Sequence, residues 1–151
     1  MPQESWHNVP VSQTLPIPVV PAPAMAPVPN FAFEWREVER GVPLSALEDF
    51  SAYSGIAVKD LLEVVIPART LKHRRQNNEP FSVIEADRLA RVARMYELAV
   101  KVYGDREDGH KWLCARRRRF DGRNALAMLE TEVGGHAVAE ALIQLDEGMF
   151  I

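Results

Sequence analysis

Residues 81–104 have the sequence FSVIEADRLARVARMYELAVKVYG, the longest helical pattern in this chain. Ser82 and Glu85 have the spacing of a capping box, in which the side chain of each residue bonds the backbone N–H of the other. Gly104 suits the left-handed residue that ends a helix. Between these ends, apolar residues keep helical spacing for about six turns; they are Leu89, Ala93, Tyr96, Val100 and Tyr103. We predict one helix here and expect it to join two halves of the molecule.

Shorter helical patterns lie on the N-terminal side of this helix. Pro43 suits the first turn of a helix that Gly55 ends. Residues 58–65 form a second pattern, and Pro67 opens a third over residues 68–76. No segment from residue 33 onward shows the two-residue alternation of a strand. We therefore predict an all-α fold.

The C-terminal side is also helical in pattern. Asp105 is the candidate N-cap of a helix that contains Trp112 and Leu113, and Asn124 is the candidate N-cap of the next. The pair Gly134-Gly135 is expected to precede a last helix, whose apolar residues are Val138, Leu142 and Leu145. We expect these helices to form a small unit of their own.

Composition and charge exclude several classes of protein. Hydrophobic residues at 47% and charged residues at 26% are ordinary for a globular chain. The single cysteine, Cys114, excludes an intramolecular disulfide and a thiolate metal cluster, and it is typical of a reducing compartment, so we expect the cytoplasm. A net charge of -3 argues against a uniformly basic nucleic-acid binder.

Residues 1–32 have the composition of a flexible arm. Eight of the eleven prolines lie in residues 1–30 and favour an extended polyproline II conformation. Residues 15–33 are uncharged, but six prolines exclude a membrane-spanning helix, and no positively charged segment of the signal-peptide kind precedes them. The alternative to a flexible arm is a ligand for an aromatic groove in a partner protein.

Residues 58–76 form a candidate helix-turn-helix motif, with Ile66-Pro67 as its turn. The second helix of such a motif enters the major groove of DNA, with its N-terminal residues near base edges and its flanks on phosphates. The candidate DNA-binding residues all lie on residues 68–76; they are Arg69, Thr70, Lys72, His73 and Arg75. Steps of three place Arg69, Lys72 and Arg75 on one face, where they can bond guanine O6 and N7. The alternative is a basic helix that contacts only solvent.

Residues 116–119 and Arg123 form a second basic run, all of it arginine. The run can hold phosphate, bind an acidic partner surface or face solvent. The last 22 residues contain five acidic side chains and no Lys or Arg, so the run can also pair within the chain or between subunits. The sequence leaves these alternatives open.

No pattern in the chain indicates catalysis. The four histidines lack metal-ligand spacing, Cys114 has no neighbouring base, and no Gly-rich phosphate loop follows a strand. We therefore predict a binding protein rather than an enzyme, with no metal and no cofactor.

The chain from about residue 40 to residue 151 resembles the Xre/ParS-type antitoxins of type II toxin-antitoxin systems, the partners of RES-domain toxins. The resemblance is carried by RTLKHRRQ, by the long helix, by WL at 112–113, by DG at 121–122, by LAMLETEVGGHAVAEAL and by the final DEGMF. The matching family positions are Trp112, Leu113, Gly122, Leu126, Leu129, Thr131, Gly134, Val138, Leu142 and Gly148. The chain departs from the family at Arg116 and Ala125, where prolines are usual, and at Phe120-Asp121, where Leu-Gly is usual.

The resemblance implies a fold and two partners. Residues 33–98 would form an Xre-like helix-turn-helix domain that represses the protein's own operon, and residues 99–151 would bind and neutralise the toxin. RES-type toxins degrade NAD⁺, so the antitoxin would act as an inhibitor by blocking access to the toxin's site. A homodimer is expected within a larger complex, because a two-fold protein matches palindromic half-sites. The candidate toxin-binding residues are Trp112, Arg117, Arg118, Glu147, Gly148, Met149, Phe150 and Ile151.

Two of these candidate contacts have an alternative within the chain. Met149, Phe150 and Ile151 follow a helix-stopping glycine and are awkward to leave in water. They either insert into the partner, with Asp146 or Glu147 on a basic rim, or fold back on Trp112. Trp112 is either an interface anchor or a core residue.

Two other functions fit the sequence. One is a stand-alone transcriptional regulator whose C-terminal unit dimerises or senses a ligand, which the absence of a neighbouring toxin gene would favour. The other is a structural adaptor that uses the proline arm and a helical surface, which a lack of DNA binding at low salt would favour.

Overall fold

The computed structural model describes Phe31 and residues 33–149, and the predicted arm therefore lies almost entirely outside the described residues. Within them the chain forms eight α-helices and a short 3₁₀ turn, Arg118–Phe120. The α-helices are α1 Trp35–Arg40, α2 Ser45–Ser54, α3 Val58–Val64, α4 Ala68–Gln76, α5 Val83–Tyr103, α6 Arg106–Cys114, α7 Ala125–Met128 and α8 Glu132–Asp146. No strand is present in this part of the chain, apart from one isolated bridge between Arg116 and Asn124. The all-α prediction is confirmed.

The long helix α5 is the centre of the molecule, and its ends lie where the sequence predicts them. Ser82 N–H donates to Glu85 Oε2 at 2.7 Å, and Glu85 N–H donates to Ser82 Oγ at 3.2 Å. Gly104 ends the helix at φ 72°. Both α6 and α8 pack on α5 from the C-terminal half, and α1 and α2 pack on it from the N-terminal half. One continuous core therefore spans both halves, from Phe50 and Leu47 through Tyr96 to Leu142.

The last helix begins earlier than the sequence predicts. Thr131 caps α8 by accepting from Gly134 N–H at 3.1 Å, so Gly134 and Gly135 lie in its first turns instead of before it. A methyl group on Gly134 would overlap the carbonyl oxygen of Met128, and one on Gly135 would lie 2.9 Å from Arg91 Cδ. These glycines are needed for close packing, and no break in the helix occurs there.

Arg91 lies off the apolar stripe that the sequence predicts for α5, and yet it is buried in the structure. It is only 6% exposed. Its guanidinium donates to the carbonyl of Leu129 at 2.9 Å, to Glu132 Oε2 at 2.9 Å and to Asp87 Oδ2 at 2.8 Å. A charged residue on the side of α5 away from the predicted apolar stripe is thus covered by α8.

No helix in the described part of the chain is both long enough and apolar enough to cross a membrane.

Candidate functional sites

Helices α3 and α4 have the arrangement of a helix-turn-helix motif. Val65 and Ile66 in the turn are fully buried, and Pro67 leads directly into α4. Leu71 is the only buried residue of α4. One side of this helix therefore packs on the core through Leu71, and the opposite side faces outward.

The outward face of α4 is basic. Arg69, Lys72 and His73 are exposed, and Thr70 is half-buried at the edge of the face. Among the described residues, neither Arg69 nor Lys72 has an ion pair. His73 Nε2 lies 3.1 Å from Asn77 Nδ2. Four of the five predicted DNA-binding residues thus lie on α4 at or beside this face, and the side chains of Arg69 and Lys72 donate no hydrogen bond within the part of the chain that the structure describes.

The fifth residue, Arg75, is also exposed but has a partner within the protein. Its guanidinium forms an ion pair with Glu48 of α2. Each step of three residues turns the direction of a side chain by about 60° on a helix of 3.6 residues per turn. Two such steps separate Arg75 from Arg69, which is enough to bring it to the side that faces α2. Arg75 therefore lies at the edge of the basic face next to α2, and its role in DNA binding stays a prediction.

Arg74 orients the end of α4, a role that the sequence analysis missed. It pairs with Glu79 at 3.1 Å and with Glu85 at 2.8 Å. Glu85 is 8% exposed and also completes the capping box of α5. The same carboxylate thus fixes the start of α5 and the C-terminal end of α4. Only the capping box has a sequence signal, because the pair with Arg74 depends on how the two helices pack.

Trp112 is a core residue in this structure, which is the second of the two alternatives. It is 3% exposed and packs edge-to-face against Phe120 at 6.4 Å between ring centroids. The guanidinium of Arg117 stacks over its ring at 4.7 Å and donates to its carbonyl at 3.3 Å. Burial lowers the pKa of Arg117 from its usual value. Arg117 is thus committed to Trp112, whereas Arg118 is exposed.

The C-terminal end of α8 forms a defined exit for the chain. Gly148 lies at φ 72°, its N–H donates to the Leu145 carbonyl, and Met149 N–H donates to the Gln144 carbonyl at 2.9 Å. This pair of bonds is a Schellman motif, which ends the helix. Met149 is 47% exposed and Ile143, on the same end of the helix, is 49% exposed. Glu147 is exposed beside them. The predicted contacts Phe150 and Ile151 lie outside the described residues.

Two protein families match adjoining parts of the chain. Residues 36–94 match the antitoxin Xre-like helix-turn-helix domain, and residues 98–148 match the antitoxin Xre/MbcA/ParS C-terminal toxin-binding domain. The chain belongs to the Xre/MbcA/ParS antitoxin family. The helix-turn-helix match of this antitoxin contains α3 and α4, and the toxin-binding match contains Trp112 and the end of α8.

Curated relatives of the antitoxin bear the name Antitoxin Xre. A protein from Pseudomonas putida is 39% identical over 84 residues, which is 56% of this chain. The alignment spans about half of that relative, 53% of its length. A protein from Yersinia enterocolitica is 26% identical over 115 residues, 75% of this chain and 78% of the relative. One from Photorhabdus laumondii is 24% identical over 114 residues, 74% of this chain and 77% of the relative.

Proposed function

We propose that this antitoxin neutralises a RES-domain toxin that degrades NAD⁺, and that it represses its own operon by binding operator DNA. The observation that carries the proposal is that two surfaces of different chemistry lie on the same protein core. The basic face of α4 suits a polyanion, and the acidic, apolar end of α8 suits a protein. The resemblance to antitoxins that are partners of RES toxins supports the identity of that protein.

The toxin contact is built on the end of α8. Met149 and Ile143 offer apolar surface, and Glu147 supplies negative charge beside it. Interface anchors are typically apolar side chains in a desolvated pocket of the partner, ringed by polar groups. Residues 149–151 would enter the toxin near its substrate mouth, and Glu147 would meet a basic rim. Trp112 and Arg117 contact each other, and we expect them to contribute to toxin binding by holding the fold of the domain.

The DNA contact is built on α4. Arg69 lies near the N-terminus of the helix, where base edges are within reach, and Lys72 and His73 continue the face along the groove. A bidentate arginine suits guanine O6 and N7. A homodimer would place two such helices on the half-sites of a palindrome, since one module rarely binds operator DNA tightly enough. The cytoplasm, expected from the single cysteine, is where such an operator is found.

The test is co-expression of the full chain with the product of the adjacent reading frame. We expect the two proteins to purify as a stable complex and cellular NAD⁺ to fall only when the antitoxin is omitted. A chain that purifies alone, with NAD⁺ indifferent to its presence, would contradict the proposal and favour a stand-alone helix-turn-helix regulator. A complex that forms while NAD⁺ stays constant without the antitoxin would retain toxin binding but exclude the NAD⁺-degrading class.

A further inference from the structure

We propose that the arginine loop, residues 116–123, binds DNA phosphates beside α3 and so extends the DNA-binding surface into the toxin-binding domain. This inference rests on the proposed binding of operator DNA. It concerns residues outside the helix-turn-helix match, which ends at residue 94.

The first observation is charge without a partner. The loop holds five guanidinium groups, of which those of Arg116, Arg118, Arg119 and Arg123 are on exposed residues. No carboxylate pairs with any of the five among the described residues. Arg119 donates to Gln144 Oε1 and Arg123 to the Ala127 carbonyl, whereas Arg116 and Arg118 have no side-chain hydrogen bond in this part of the chain. The loop has five arginines and one carboxylate, Asp121, and is therefore strongly positive in a chain with a net charge of -3, which indicates an anionic partner.

The second observation is that the loop is held rigidly. Arg117 N–H donates to the Arg123 carbonyl, and Gly122 N–H donates to the Arg117 carbonyl, both at 3.0 Å. Phe120 anchors the middle of the loop in the core, and Asp121 and Gly122 take the positive φ values that close it. A loop that is ordered in advance loses little conformational entropy when it binds. The exposed arginines are therefore presented in a fixed arrangement.

The third observation is the position of the loop beside the helix-turn-helix. Helix α7, which begins two residues after the loop ends, packs against α3. Cys114 lies two residues before the loop; burial raises the pKa of its thiol, and the negative charge of Asp60 on α3 raises it further. The C-terminal end of the loop therefore lies next to α3 through α7. The first helix of a helix-turn-helix crosses the DNA backbone, and α3 carries the exposed Lys59 at its start.

The surface chemistry of the loop favours DNA over the toxin as its partner. The central part of a protein interface is depleted of charge and contains aromatic or aliphatic anchors. The only large apolar side chain of the loop, Phe120, is buried in the protein's own core. The exposed charged side chains of the loop are four arginines and one carboxylate, Asp121, and arginines are suited to phosphate oxygens.

The test measures DNA binding by fluorescence anisotropy on a fragment from the promoter of the chain's own operon, over a series of salt concentrations. The double variant Arg116→Ala/Arg118→Ala removes two exposed cations from the loop. The control, Arg94→Ala/Lys101→Ala, removes two exposed cations from α5 and changes the net charge equally. Thermal unfolding of each variant checks that the protein is folded. A second control, Arg116→Lys/Arg118→Lys, keeps the charge.

We expect the loop variant to bind roughly tenfold or more weakly at about 0.1 M salt, and its slope of log K against log salt to be shallower by about 0.9 for each phosphate that the variant no longer neutralises. The α5 control and the lysine variant should keep a slope close to that of the wild type. A loop variant with wild-type affinity and slope would overturn the proposal. So would a loop variant that binds DNA normally but no longer purifies with the toxin, since the loop would then belong to the toxin contact. A wild-type chain that fails to bind the fragment would overturn the proposed DNA binding as well.

Discussion

Arg91 of α5 donates to the backbone carbonyl of Leu129 at 2.9 Å, across the boundary between the two family matches. The same guanidinium holds Glu132 at the start of α8. A residue of the helix-turn-helix match therefore fastens the toxin-binding match to the central helix. Gly135 makes room for its side chain, so the contact depends on residues from both parts of the chain.

Replacing Arg91 with alanine should destabilise the protein. The change leaves the Leu129 carbonyl without this donor and opens a gap beside Gly135, and an unsatisfied buried polar group costs about 1–3 kcal/mol. We expect the free energy of unfolding in urea to fall by about 2–3 kcal/mol. The control is Arg88→Ala on the same helix, where Arg88 has no hydrogen bond among the described residues; it should change stability by less than about 0.5 kcal/mol. Equal losses in the two variants would show that Arg91 does not fasten the domains.

Gly134→Ala should be much more damaging than Gly104→Ala. The added methyl of the first would overlap the Met128 carbonyl, whereas nothing lies within 4 Å of the second. Alanine at Gly104 still meets a left-handed backbone, which costs about 1 kcal/mol. We expect Gly134→Ala to cost at least about 2 kcal/mol, because the clash exceeds the usual gain of alanine inside a helix. Thermal unfolding midpoints of the two variants compare them directly, and a more stable Gly134→Ala protein would contradict the packing described for α8.

The basic residues of α4 should not contribute equally to DNA binding. Arg69→Ala removes an exposed cation that has no ion pair with any residue described in the structure, and it should weaken operator binding by about 1–3 kcal/mol if the arginine bonds a guanine. Arg75→Ala removes a cation that Glu48 already pairs, and it should change the dissociation constant by about threefold at most. Titrations of a labelled operator at one salt concentration measure both. A larger loss for Arg75→Ala would mean that the ion pair with Glu48 opens on DNA.

The thiol of Cys114 reports on the proximity of α3 to the arginine loop. Burial is the main cause of its raised pKa and Asp60 is the second, so less thiolate is present at a given pH than in an unperturbed cysteine. Asp60→Asn removes the negative charge and should lower the pKa, which shifts the pH profile of reaction with a thiol reagent toward lower pH. Asp49→Asn on α2 is the control and should leave the profile unchanged. An unchanged profile for Asp60→Asn would separate Cys114 from α3.

Most features predicted correctly from the sequence depend on residues that are close together in the chain. The errors concern residues whose environment is set by contacts with distant parts of the chain. The capping box of Ser82 and Glu85 and the end of α5 at Gly104 depend on a few neighbouring residues, so their pattern is visible in the sequence. The burial of Arg91 depends on a carbonyl 38 residues away. In the sequence Gly134 and Gly135 have the pattern of helix-breaking residues. Their true role depends on the close contacts of α8 with Met128 and with Arg91 of α5.

The candidate sites show the same division. The basic face of α4 follows from helical spacing and the anchor at Leu71. The ion pairs of Arg75 with Glu48 and of Arg74 with Glu85 could not be predicted from the sequence. They depend on how α2, α4 and α5 pack against one another. The sequence allows Trp112 to be either an interface anchor or a core residue. It is a core residue because Phe120 and Arg117 cover it.

The central claim is that the DNA surface and the toxin surface of this antitoxin are separate, and the level of NAD⁺ in cells that express the toxin tests it most directly. Two variants are compared with the wild-type chain: Arg69→Ala/Lys72→Ala, and a deletion of residues 148–151. We predict that the α4 variant keeps NAD⁺ at the wild-type level and that the deletion lets NAD⁺ fall, although the deleted chain still binds operator DNA. Two results would contradict the separation of the two surfaces. One is an NAD⁺ level with the deleted chain that equals the wild-type level, and the other is a fall in NAD⁺ with the α4 variant.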